Sequence, residues 1–116
     1  MIHNSDFKYD LQFGIEGESM FAEIVKNKKV EVKRDRKAHI TGNIFIEYEC
    51  RNKPSGISIT ESDFYAYFVN EVCILIEVHK LKDICRQYLK TKYDIYGGDN
   101  NTSKGILLPI IKLFVT

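Results

Sequence analysis

The stretch VEVKRDRKAHITGNIFIEYEC, residues 30–50, decides how the chain is read. Val30 and Val32 alternate with Glu31, Lys33 and Asp35. Beyond the break at Thr41 and Gly42, Ile44, Ile46 and Tyr48 alternate with Phe45, Glu47 and Glu49. A period of two is the signature of a strand with one face buried. The spacing predicts two strands joined by a tight turn. With the turn at Thr41, Asp35 stands opposite Glu47 and Lys33 opposite Glu49 in an antiparallel ladder, all four on one face. The valines and isoleucines then point into the core. Carboxylates brought this close repel unless a cation compensates, and a divalent metal is the simplest compensation.

Working outward, GIEGESMFAEIVKNK from Gly14 spaces Ile15, Met20, Phe21, Ile24 and Val25 as a helix would, acidic at its start and basic at its end. After the hairpin, RNKPSGIS holds both Pro54 and Gly56 and reads as a loop. Phe64 to Val69 and Val72 to Val78 are two strand-like runs divided by Asn70 and Glu71. HKLKDICRQYLK places Leu81, Ile84, Cys85, Tyr88 and Leu89 on one face of a second helix. GGDNNTSKG is a loop in this reading, and the run from Ile106 to Val115, which contains Pro109, is a short strand followed by a turn or short helix. The expected architecture is one α/β domain over residues 1–116: a mixed central sheet of about five strands, with the first helix packed on one side.

Composition narrows the classes. Hydrophobic residues at 44% and charged residues at 28% fit a globular domain rather than a disordered or fibrous chain. No apolar run reaches the roughly 20 residues that span a bilayer, and the first ten residues lack the pattern of a secretory leader. Cys50, Cys73 and Cys85 are odd in number and widely spaced, so they read as reduced thiols of a cytoplasmic protein. His3, His39 and His79 form no zinc-binding pair. The net charge is only +1, yet seven of the 17 basic residues, Lys26, Lys28, Lys29, Lys33, Arg34, Arg36 and Lys37, fall in one short run. Such a run is a solvated face or a backbone-binding patch for nucleic acid.

The order of a helix carrying Glu18 (GESMFAEIV), then Asp35 closing VEVKRD, then Glu47, Tyr48 and Glu49 in NIFIEYE resembles the core of the PD-(D/E)XK nucleases, which include restriction enzymes, phage endonucleases and junction resolvases. The resemblance covers residues 14–50. It implies a restriction-endonuclease-like fold and Mg²⁺- or Mn²⁺-dependent hydrolysis of DNA phosphodiesters. It further implies that Asp35 and Glu47 ligate metal, that Tyr48 lends its backbone carbonyl, and that Glu18 assists through water. Two departures stand out. Arg34 precedes Asp35 where the family has proline, and Glu49 ends the triplet where it has lysine. Lys33, opposite Glu49, is the expected substitute for that lysine, which makes Asp35, Glu47, Glu49 and Lys33 the catalytic set. A competing frame takes Glu31, Val32 and Lys33 as the ExK triplet.

The runs KPSGIS and GGDNNTSKG also resemble small phage-type members of that superfamily, consistent with a phage- or prophage-encoded protein. Chemically, Lys53, Ser55, Gly56 and the stretch Asn100 to Gly105, with Lys104, offer donors that hold phosphates without reading sequence. His39 and Lys37, beside the turn, extend that DNA-binding set, and plain turn chemistry is the alternative at each position. The expected partners are DNA and a second copy of the chain, since cutting two strands calls for two sites. No organic cofactor is expected. The alternative reading is a module that binds nucleic acid or protein on a decayed nuclease fold.

Overall fold

A computed structural model describes residues 4–114, with side chains from Lys8 onward. The molecule is α/β. Helix α1 (Asn4–Val25) leads into strand β1 (Val30–Asp35), a single helical turn α2 (Ala38–Thr41) and strands β2 (Asn43–Cys50) and β3 (Lys53–Pro54). A 3₁₀ turn at Gly56–Ser58 precedes β4 (Phe64–Val69), β5 (Val72–Glu77) and helix α3 (Val78–Arg86). Strands β6 (Asp94–Gly97) and β7 (Ser103–Pro109) follow, and a 3₁₀ turn at Ile110–Leu113 ends the described chain. The strands form two sheets instead of the single one expected: β1-β4-β5, and β3-β2-β7-β6.

The hairpin predicted across residues 30–50 does not form. β1 pairs in parallel with β4, Val30 beside Phe64 through Asp35 beside Val69, whereas β2 pairs antiparallel with β7 in the other sheet. The cause lies between them. Asp35 Oδ1 accepts from the backbone N–H groups of Lys37 and Ala38 at 2.8 and 2.9 Å, starting a helical turn where a tight hairpin turn was expected. Gly42, at φ +77°, closes that turn, and its carbonyl accepts from Ile110 N–H. β2 is thereby delivered to β7, where Ile44 and Ile46 lie beside Leu108 and Ile106. All four are almost wholly buried. Apolar complementarity of this kind outweighs the mere proximity of β1 in sequence, because the polar face of β1 has no such match to offer.

The same swap inverts β1. Val30 and Val32, expected in the core, face solvent, while Glu31, Lys33 and Asp35 turn inward and are half-buried. The core itself lies between the sheets and α3. It joins Ile44, Ile46, Tyr65, Tyr67, Ile76, Ile106 and Leu108 to Val78, Leu81 and Cys85, which recur along one face of α3. The two-residue break at Asn70 and Glu71 does make the β4–β5 hairpin, with Asn70 at φ +55°. β6 was not foreseen, and Ser103 to Gly105, expected in a loop, begin β7.

Helix α1 departs furthest from expectation. It begins at Asn4 instead of Gly14 and runs through Gly14 and Gly17, each of which costs a helix about 1 kcal/mol relative to alanine. It was expected to pack on the sheet, and only its last turns approach it, where Phe21 and Ile24 line a cleft with Phe64, Ile74 and Ile76; these two remain exposed, as do Tyr9, Leu11, Phe13, Ile15 and Met20. Its projection gives the chain a radius of gyration of 17.8 Å, against about 13 Å for a compact domain of this length. No described helix is long and apolar enough to cross a membrane.

Candidate functional site

Parallel neighbours in register point their side chains the same way, so the odd-numbered residues of β1 share a face with Tyr65 and Tyr67 of β4. This face looks across at the second sheet. Lys33, Tyr65 and Tyr67 from one side, Phe45, Ile46 and Glu47 of β2 from the other, and Gly56 from the connecting loop line a cleft of about 230 Å³. The Tyr67 hydroxyl donates to the Phe45 carbonyl at 3.1 Å, linking the sheets. Burial, with the charge of Asp35 adding to it, pushes that phenol well above its usual range.

Two charged groups, Lys33 and Glu47, line the cleft, and a third, Glu31, is bound to Lys33. Lys33 Nζ lies 2.6 Å from Glu31 Oε2 and 5.3 Å from the centre of the Tyr65 ring. Thr60 Oγ1 donates to Glu31 Oε1 at 2.9 Å, and Ser62 Oγ lies at 3.5 Å from the same oxygen. The Lys33 hydrogen bond holds the Glu31 carboxyl below its ordinary value of 4.5; partial desolvation opposes this and Thr60 supports it. Across the cleft, Ser55 Oγ donates to Glu47 Oε2 at 2.9 Å. Gly56 makes this approach possible: at φ +51° it lies so near the Glu47 carbonyl that any Cβ would collide with it.

Tyr65 completes the arrangement. Its residue is 2% exposed, and its hydroxyl, shielded from solvent, has no hydrogen-bond partner among the described residues. Burial raises its pKa most; the negative charges of Glu31 and Glu47 add to the rise, and Thr60 partly offsets it. A buried hydroxyl without a partner is costly, and here it lies under the influence of two carboxylates.

The other residues singled out in the sequence are dispersed. Asp35 caps the α2 turn and lines a separate hollow with Arg34, Arg36, His39, Phe68 and Asn70. It does not stand opposite Glu47, which pairs with Gly105. Glu49 leaves the cleft because β2 bulges at Tyr48: Glu47 pairs with Gly105 and Glu49 with Lys104, consecutive residues that face opposite ways. Lys33 therefore does not face Glu49. The Tyr48 carbonyl, expected to ligate metal, accepts from Ser55 N–H at 3.1 Å and Ser58 Oγ at 2.7 Å. Glu18 stands exposed on α1. Lys37, His39 and Lys53 are exposed, whereas Lys104 lies over the rings of Tyr48 and Tyr96, 5.8 and 5.5 Å from their centres. Its ammonium is held above its ordinary pKa, chiefly by a hydrogen bond with Tyr48, whose hydroxyl donates to Asp94 at 2.6 Å.

Among the described residues no three of His, Cys, Asp and Glu gather to hold a metal, so the set of Glu18, Asp35, Glu47 and Tyr48 is not assembled. Glu47 is a hard oxygen donor lining the cleft, and Glu31, bound to the cleft residue Lys33, is a second. They fit Mg²⁺ or Mn²⁺ in the manner of ions that take one or two carboxylates from protein and the remainder from water and substrate. Thr60, Ser62 and Tyr65 were not recognised as part of a site. Glu31 was legible through its spacing from Lys33, which puts both on one strand face. No protein-family model, curated protein or solved structure matches the chain.

Proposed function

We propose that this protein is a metal-dependent DNA endonuclease of the PD-(D/E)XK type with a restriction-endonuclease-like core, and that its site is the cleft between the sheets. The observation that carries the reading is that Lys33 and Glu47 line one cleft beside the buried Tyr65, with Glu31 bound to Lys33. This favours the frame in which Glu31, Val32 and Lys33 are the ExK triplet. Glu31 and Glu47 would hold Mg²⁺ or Mn²⁺, which when bound polarises a phosphate and acidifies water. Lys33, released from Glu31, neutralises charge developing on the phosphate. Arg34, Arg36, Lys37 and His39, near one end of β1, and Lys53, near Ser55, offer cations to the flanking phosphates. Three free cysteines suit work inside a cell.

The test is cleavage of supercoiled, linear and four-way-junction DNA in Mg²⁺ or Mn²⁺. Glu31→Gln and Lys33→Met are expected to slow cleavage by at least about 100-fold, whereas folded Asp35→Ala retains it. Loss in Asp35→Ala with full activity in Glu31→Gln would move the site to the far end of β1. Wild-type protein that cleaves nothing in either metal ends the nuclease reading. DNA binding without cleavage would support the second reading, a non-catalytic module, which the hollow lined by Arg34, Arg36 and His39 favours.

A further inference from the structure

α1 is apolar on more than one side, and a helix of that kind is stable in water only when covered. Its most ordered stripe consists of Tyr9, Phe13, Met20 and Ile24. At about 3.6 residues per turn these fall within about 60° of arc, and Tyr9 and Phe13 already stack with ring centres 6.4 Å apart. The exposure of the four is 70%, 68%, 66% and 49%.

We propose that this stripe is a homodimer interface, formed by antiparallel pairing of α1 with α1 of a second copy. The stripe is self-complementary about a two-fold axis. With the crossing point between Glu16 and Gly17, Tyr9 of one copy meets Ile24 of the other and Phe13 meets Met20, each contact occurring twice. Gly17 lies at the crossing, where nothing within 4 Å of its Cβ position blocks a close approach.

Charge decides against nucleic acid and anionic membrane. From Lys8 to Val25, α1 carries Asp10, Glu16, Glu18 and Glu23 against one lysine, a balance that repels DNA and anionic membrane surfaces. The four stripe residues would bury roughly 500 Å² per copy, about 1,000 Å² in the pair, which is the lower bound for a specific interface. An interface at that bound is expected to associate weakly and reversibly. The proposal stands independently of the nuclease reading, since it uses no residue of the cleft.

Sedimentation equilibrium of the full chain across micromolar concentrations tests it. Wild type is expected to shift from monomer to dimer. Phe13→Glu with Met20→Glu should weaken association at least 100-fold, with the thermal melt of the sheets unchanged, while Leu11→Glu, on the other side of the helix, leaves association intact. A wild-type protein that stays monomeric throughout overturns the proposal, as it would if α1 folded back on its own chain. So does a wild-type species larger than a dimer, or a Leu11→Glu variant that dissociates as far as the double variant.

Discussion

The two tyrosines of β4 that face the cleft occupy similar settings and make opposite contributions. Tyr67 donates to the Phe45 carbonyl, and Tyr65 donates to nothing. Tyr67→Phe should therefore cost about 1 kcal/mol in urea unfolding, the net value of one hydrogen bond. Tyr65→Phe removes an unsatisfied polar atom and should be neutral or stabilising; clear destabilisation by Tyr65→Phe would show that its hydroxyl has a partner. The thiols offer a parallel contrast. Burial pushes Cys85 up to about 12, whereas Cys73 is exposed. An alkylating reagent near neutral pH should label Cys73 in the folded protein and Cys85 only after denaturation, read by mass spectrometry.

At the scale of elements, what was legible in the sequence was local, and what was not depended on partners far along the chain. The alternation in residues 30–50 marked both strands, and Asn70 with Glu71 marked a true hairpin. Which strand β1 would join could not be read from its own residues, because the partner begins at Phe64 and the decision rests on Ile44 and Ile46 matching Leu108 and Ile106. The inward face of β1 was misassigned for the same reason: valine is the usual core residue, but here the sheet buries the charged side against a second sheet. The bulge at Tyr48, which separates Glu47 from Glu49, also leaves no mark in the alternation. Within the candidate site, the Glu31 and Lys33 spacing was visible, whereas Thr60, Ser62 and Tyr65 arrive from elsewhere in the chain. Asp35 now has a structural task that can be measured. Asp35→Ala should destabilise the protein by about 1 kcal/mol, as loss of a capping carboxylate does, and an unchanged urea midpoint would remove it from that role.

For the whole molecule, acid stability carries the mark of the cleft. Glu31 is held below its ordinary pKa of 4.5 in the folded state. The stabilisation it contributes is full above that value and is lost as pH falls through the lower, folded value. About a third of its side chain and that of Lys33 is exposed, so solvent screening keeps the contribution modest. Glu31→Gln should flatten the acid limb of a plot of unfolding free energy against pH, with the largest change below pH 4.5. An unaltered limb would mean that the Lys33 contact is not maintained in solution.

β1 is also the outermost strand of its sheet, with Val30 and Val32 turned to water. A margin of this kind, with backbone amides and carbonyls open along one side and apolar side chains above them, is a template onto which any extended polypeptide can add. Lys28, Lys29, Arg34 and Arg36 bracket it and are exposed. Besides any role toward phosphate, these cations guard against fibrous self-assembly, and a variant neutral at all four should precipitate as cross-β aggregates before it loses its fold.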